Sequence, residues 1–384
     1  MTPPTKLHWM LGVSILLFNV AGLRAQDSDG DWSKAGGGSW ANANNWDSQI
    51  IADGEDNTAY FGLSLEPPIP ATATFTLDGA RSIGNIEFLA QSGPDNWALN
   101  TGSGGPLTLD YTFGVPSIDV SYSSETVTIN LVLAGTNGME KDGVGTLVLS
   151  GANTYTGETL VSAGTLVVNG TISDAVTVAA GVLGGNGLII GPVTVQSGGT
   201  LAPGNPTNSL TITNSLTLQS GSTTLIALNA STLACNVVNG ISAAAYAGTL
   251  VVSNTAGTPV LGQSYAIFSA AGASGNFSSI KPQLTGGLRW RFNPAAGVLS
   301  VVSASSQPWF ASVVPTGGGA VVMSVTNGAP GVTNYLLGSA NLSLPLTNWT
   351  RLATNVFDPG GDCLITNPMA ANIQFYSIAA PAGP

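Results

Sequence analysis

Trp32, Trp40 and Trp46 stand eight and six residues apart among Gly, Ser and Asn, and an indole ring offers the flat apolar face on which a pyranose stacks. The three therefore form a candidate carbohydrate-binding platform. Large rings also suit the closing of an exposed end of a stacked fold, and closure is the preferred reading. Asp27-Ser-Asp-Gly-Asp31 has the opening of a calcium loop. Its glycine falls at the fourth rather than the sixth position and no glutamate follows at the twelfth, so a solvated chain start is expected instead of a metal site. Asp53-Gly-Glu-Asp56 reads as a turn. Arg289 and Arg291 flank Trp290, and alternation along a strand places both arginines on one exposed face with the tryptophan inside.

Little else in the chain suggests catalysis. The single histidine, His8, lies in a leader-like start: Lys6 and His8 precede an apolar run from Trp9 to Val20 and a Leu23-Arg-Ala25 end. Residues 1–25 are thus expected to be a signal peptide, with cleavage after Gly22 as the alternative, and the mature chain to be exported. Its removal leaves seven basic against 20 acidic residues, a net charge of −13. A chain without histidine has no Ser-His-Asp or Cys-His site and no histidine-bound metal, and an acidic one without basic clusters is a poor ligand for nucleic acid. No second apolar run is long enough to span a membrane as a helix, and the end Ala379-Ala-Pro-Ala-Gly-Pro384 lacks the features of a C-terminal anchor. Cys235 and Cys363 are either paired or isolated; pairing requires the C-terminal part to fold back on the rest.

The elements that must position these residues are announced by a repeat. Gly145-Thr-Leu-Val-Leu-Ser-Gly151 recurs at Gly164, Gly181 and Gly199, at intervals of 19, 17 and 18 residues, and a fixed period near twenty is the signature of stacked coils. Each copy is a short β-branched and apolar strand ending in Gly or Asn, which take up corner conformations readily. A second strand precedes the glycine in Val176-Thr-Val178, Val193-Thr-Val195 and Leu216-Thr-Leu218. Stacking predicts apolar ladders, Val176 beside Val193 and Leu147, Leu166, Leu183 and Leu201 in one buried row. Asn169, Asn186 and Asn205 recur at corners, each expected to bond its own backbone. With 50 glycines and only 8 % charged residues, an all-β solenoid is expected. It should run from about Thr72 to Val302 as roughly 12 coils of ~19 residues, about 55 to 60 Å long at ~4.8 Å per coil.

The stretch Gly138-Met-Glu-Lys-Asp-Gly-Val-Gly-Thr-Leu-Val-Leu-Ser-Gly-Ala-Asn-Thr-Tyr-Thr-Gly157, continuing to Gly164-Thr-Leu-Val-Val-Asn-Gly170, resembles the autotransporter-associated β-strand repeat of bacterial passenger proteins. The resemblance is strong over about 35 residues, with looser similarity from Trp32 to Phe61 and from Leu261 to Val302. It implies a right-handed parallel β-helix displayed outside the cell. A complete autotransporter ends in a translocating barrel, and the 80-odd residues after Val302 are too few for one. Short apolar runs at Ala320 to Val325, Tyr335 to Leu337, Trp349 to Ala353, Cys363 to Thr366 and Phe375 to Ala379 point instead to a small β-sandwich-like module that caps or sorts. The expected organisation is a signal peptide over 1–25, a solenoid with its N-terminal cap over 26–302 and this module over 303–384. Parallel β-helices include polysaccharide lyases and hydrolases, whose chemistry needs close carboxylates or a basic residue at the substrate. Between Gly143 and Ala230 only Glu158 and Asp174 are acidic, and there is no Lys or Arg. A structural or adhesive surface role without catalysis or cofactor is therefore expected, with an extracellular carbohydrate-binding protein, its partner cell-surface or extracellular polysaccharide, as the first alternative and a β-helix polysaccharide-degrading enzyme as the second.

Overall fold

A computed structural model describes residues 28–63, 71–89, 96–204, 208–304, 308–316, 318–369 and 375–379. The expected signal peptide over 1–25 lies outside the described residues, as do Asp27 and Asn205.

Strict alternation in the repeat makes each strand amphipathic across its two faces, and parallel stacking turns that alternation into continuous rows. Thr146–Leu149, Thr165–Val168, Val182–Gly185 and Thr200–Pro203 pair in parallel register. Leu147, Leu166, Leu183 and Leu201 are consequently direct partners, all fully buried. The row extends back through Val127 to Trp97 and forward through Thr224 and Leu250 to Ile280. A second sheet carries Val176, Val193 and Leu216 in another buried row. Among the described residues each of the two long sheets has an unbroken path of eleven strands. A third, from Thr171–Ile172 to Phe268–Ala270, adds a side to the later coils. The result is a parallel β-helix of eleven coils, ten steps of ~4.8 Å or about 48 Å of stack.

The stack starts and stops earlier than the sequence expectation. Gly30–Trp32 and Gly37–Ser39 already belong to the first coil, and the last parallel strand is Ser279–Lys281. The period is also less uniform. Stacked partners recur after 20, 17 and 17 residues from Lys141 to Val195, but after 27 and 32 in Ala59–Ile86–Ile118 and after 28 and 29 in Leu216–Ala244–Ala273. The extra residues go into longer corners, which face solvent and accept insertions, and in the early coils also into longer strands, eight residues in Gly54–Phe61 and Arg81–Phe88 against three in Val176–Val178.

Leu288–Asn293 and Val298–Ser303 form an antiparallel sheet with Ser264–Ala266 at the far end. Beyond it, Trp309–Thr316, Ala320–Thr326 and Cys363–Pro368 make one antiparallel sheet, and Thr350–Val356, Thr333–Ser339 and Phe375–Ala379 another. Val321, Met323, Val325, Leu336, Phe357 and Ile365 fill the space between them. The first of these strands, Trp309–Thr316, had no counterpart among the expected runs; its residues are almost all exposed, so it carries no apolar alternation to detect.

Candidate functional site

The three tryptophans sit inside the first coil. Trp32 and Trp40 are fully buried and Trp46 is 2 % exposed. Trp46 meets Trp32 edge-on at 5.1 Å and Trp40 at 5.2 Å, while Phe61 lies stacked between Phe75 at 4.7 Å and Phe88 at 4.9 Å directly beneath. Each indole N–H is satisfied internally, Trp32 by Lys34 O at 2.6 Å, Trp40 by Ala52 O at 2.9 Å and Trp46 by Trp40 O at 2.8 Å. The rings close the end of the coil stack and leave no face open to a sugar, so this geometry does not carry the carbohydrate-platform alternative for Trp32, Trp40 and Trp46.

The acidic residues near this end are structural or outward-facing. The Asp29 carboxylate accepts the Thr58 amide at 2.7 Å, and Asp29 to Asp31 run into the first coil rather than forming a solvated chain start. Asp53 pairs with Arg81 at 2.7 Å, and Asp56 accepts the Thr112 amide at 2.6 Å. On the outer face, Asp31, Tyr60, Glu87, Asp119 and Asp142 stack in register over five coils. Partial burial pushes the Glu87 carboxyl up, and the neighbouring Asp119 and Asp29 charges add to the shift. Among the described residues no three His, Cys, Asp or Glu side chains converge as a metal site would require.

Within the repeat, three residues hold the coils together in ways the sequence expectation missed. Asn153 Oδ1 accepts the Leu133 amide at 3.0 Å and its Nδ2 donates to Thr171 O at 3.2 Å, so one buried side chain links three successive coils. Tyr155 is buried two residues on, its hydroxyl 2.7 Å from that of Thr159, and burial raises its pKa. Lys141 occupies an inward position in line with Ile118, Val161 and Val178. Its ammonium is enclosed by the carbonyls of Asp142, Gly143 at 2.7 Å and Ala163 at 3.4 Å. Burial pulls its pKa down to about 8 against the partial opposition of Asp119 and Asp142. The signal for Asn153 and Tyr155 was the Asn-Thr-Tyr-Thr-Gly wording, which departs from plain alternation. One corner asparagine also differs from expectation, since the Asn169 side chain accepts the backbone N–H of Asn186 in the next coil at 3.3 Å. Asp174, one of the two carboxylates of the regular coils, accepts the amides of Gly157 at 3.0 Å and Ala175 at 2.9 Å, which hold it below the usual carboxylate range.

At the far end the alternation around Trp290 is as expected but its consequence is not. Trp290 and Phe292 point inward, while Arg289 and Arg291 face outward into a surface that the Asp358–Asp362 turn covers. Arg291 Nη2 contacts both oxygens of Asp362 at 2.9 and 3.0 Å, and Arg289 Nη1 donates to Gly360 O at 2.8 Å. Gly361 has φ 78°, and a Cβ there would lie 2.5 Å from Arg289 Nη1, so the close approach requires glycine. The C-terminal part does fold back, yet Cys235 and Cys363 remain free thiols. Cys235 Sγ donates to Ala266 O at 3.4 Å and Cys363 lies 3.6 Å from Asn334 Nδ2; burial raises both pKa values, which keeps the thiols protonated and unreactive at neutral pH.

Parallel coils stacked in register and closed by aromatic rings make a parallel β-helix whose outward face runs continuously along the stack. Residues 139–168 match the passenger-associated-transport-repeat family model. The chain is also 36 % identical over 142 residues, 37 % of its length, to the Adhesin BmaC autotransporter of Brucella suis biovar 1 (strain 1330). It spans 4 % of the length of that relative. The chain thus carries an autotransporter passenger repeat and is an exported, cell-surface protein with an adhesin-type relative. No helix among the described residues is long and apolar enough to cross a membrane.

Proposed function

We propose that this protein is a non-catalytic, adhesin-like scaffold that presents the outer face of its β-helix at the cell surface. The observation that carries the reading is the in-register stack through the matched repeat, Thr126–Ile129 to Thr200–Pro203, whose inward residues are aliphatic and whose outward ones are Thr, Val, Ala and Gly. Such a surface offers many weak, repeated contacts and few groups able to move a proton. The name of the Brucella relative supports an adhesive role for the present chain too. In this reading residues 1–25 direct export, 26–302 form the display rod and 303–384 form a module that closes its end.

The partner class proposed is cell-surface or extracellular polysaccharide, met along the rod and not at the tryptophan plug. The test is adsorption of the purified mature chain to cells and immobilised polysaccharides, with reducing-end release measured in parallel. Adsorption that scales with ligand density, without release, is expected. Polysaccharide cleavage would overturn the non-catalytic reading, and tight saturable binding of a soluble oligosaccharide lost in Trp40→Ala would restore the platform reading.

A further inference from the structure

One corner of the rod holds an aromatic ring out in water. Residues 110–116 link Leu107–Leu109 to Ser117–Val120, and Phe113 at their tip is 80 % exposed, the most exposed large apolar side chain among the described residues. Val115 is also exposed, and the Tyr111 ring stands against Phe113 at 6.1 Å and 73°. The backbone beneath is pinned. Asn137 Nδ2 donates to Tyr111 O at 2.7 Å, the Thr112 amide donates to Asp56 Oδ1 at 2.6 Å, and the Thr112 hydroxyl donates to the Glu55 carboxylate. The Asp110 amide donates to Ile83 O at 2.9 Å, and the Asp110 carbonyl accepts the Asp56 amide at 3.1 Å. A lone apolar residue on a surface needs no explanation. A pair of rings on a fixed backbone, open at the tip, is different, because a ligand lying on it costs little further ordering.

The base of the corner sets the sign of the charge around these rings. Glu55 and Asp56 hold Thr112, and Asp110 is close enough for both charges to act on it. Partial burial pushes the Asp110 carboxyl up, and Glu55 and Asp56 add to the shift. Among the described residues none of the three forms an ion pair with a basic side chain. The field of such unneutralised carboxylates reaches about 10 Å at moderate salt, far enough to cover a ring one residue beyond Thr112. A phenyl ring offers an apolar face to the C–H groups of a pyranose and attracts a cation placed over it. We infer that this corner is a binding point for a polysaccharide bearing protonated amino groups, one pyranose lying on Phe113 with its ammonium in the field of Glu55, Asp56 and Asp110. A neutral sugar would gain the stacking alone, and an acidic one would be repelled.

The inference rests on the proposed polysaccharide partner and gives it a place on the rod. Glucosamine hexamer, N-acetylglucosamine hexamer and hexalysine are titrated into the full chain by calorimetry, at low salt and at a pH that keeps the amines protonated. Hexalysine controls for charge without a sugar. Glucosamine hexamer should bind saturably and at least tenfold tighter than its acetylated form. Its affinity should fall at least tenfold in Phe113→Ala and severalfold in Asp110→Asn, while hexalysine binding is unchanged in Phe113→Ala. Because Phe113 lies outside the core, that variant should melt with the parent. Absence of saturation, equal binding of the acetylated hexamer, unchanged glucosamine affinity in Phe113→Ala, or an equal loss of hexalysine binding there would each overturn the site. The two readings fail separately. Adsorption to immobilised polysaccharide that is the same in the parent and in Phe113→Ala removes this site alone, whereas a parent chain that adsorbs to no polysaccharide removes the partner class itself.

Discussion

Lys141 shows at the residue scale how a repeat can tolerate a charge inside it. Its stacked partners are Ile118 and Val161, yet its ammonium is surrounded by three backbone carbonyls. The folded state holds its pKa at about 8, below the ordinary 10.5. Because the unfolded chain binds the proton more tightly, the destabilising contribution is fully present below pH 8 and is relieved as pH climbs toward 10.5. The shift corresponds to about 3 kcal/mol. In Lys141→Met this component should vanish, so denaturant stability of the parent relative to the variant should rise from pH 8 to 10; parallel curves would show that the ammonium is not sensed. Leu166 makes the complementary case. It is fully buried in the leucine row, and Leu166→Asp should lose several kcal/mol or fail to fold, measured by urea midpoint against Leu166→Val. That row was readable in the chain because Thr-Leu-Val-Leu alternation allows one register only, a one-residue slip turning every leucine outward. Lys141 was not, since a lone lysine in an alternating strand looks the same whether its corner carbonyls enclose it or water does.

Coils are joined at the element scale by two different kinds of contact. Strand ladders do most of the joining, and they follow from alternation. The corner after Thr146–Leu149 depends on Asn153, whose side chain supplies the acceptor for the Leu133 amide and a second donor to Thr171 O beside its own backbone N–H. Asn153→Ala would leave the buried Leu133 N–H without a partner, a loss of about 1 to 3 kcal/mol, while Thr171 O keeps the backbone N–H of residue 153 at 3.1 Å. Asn153→Asp retains the acceptor toward Leu133 but not the donor toward Thr171, so it should fall between the two, and hydrogen exchange should report faster amide exchange at Leu133 in the alanine variant alone. Equal exchange in both variants would mean that the amide at Leu133 is protected by the ladder and not by the side chain. Corner lengths were the part of each coil that sequence could not supply. The period of 17 to 20 residues was visible only where corners are shortest, and the longer coils upstream and downstream keep the same stacked strands behind loops with no repeating pattern.

At the scale of the whole molecule, both ends of the coil stack are closed by aromatic rings while the regular coils between are largely aliphatic inside. Trp32, Trp40, Trp46 and Phe61 plug one end, and Tyr246, Phe268, Phe277 and Phe292 converge at the other, with Tyr246 and Phe292 5.1 Å apart. A solenoid has no neighbour beyond its last coil, so a large ring covers apolar area that a further row of leucines would cover elsewhere. The N-terminal plug could be anticipated from three tryptophans in a small-residue segment. The C-terminal closure could not, because nothing in Asp358-Pro-Gly-Gly-Asp362 identifies Arg289 and Arg291, about 70 residues earlier, as its partners. That contact makes a testable claim about cooperativity. With Arg291 and Asp362 paired at 2.9 Å and both side chains under one-third exposed, breaking the pair leaves a partly buried charge unmatched, at about 1 to 3 kcal/mol. The parent protein should therefore melt the last coil and the C-terminal sheets together. In Asp362→Ala the sheets should melt first, as a separate calorimetric transition that the parent lacks, and Arg291→Ala combined with it should add little further loss since the partner is already gone. A single unshifted transition in Asp362→Ala would show instead that the sheets are held to the rod by their apolar contacts alone.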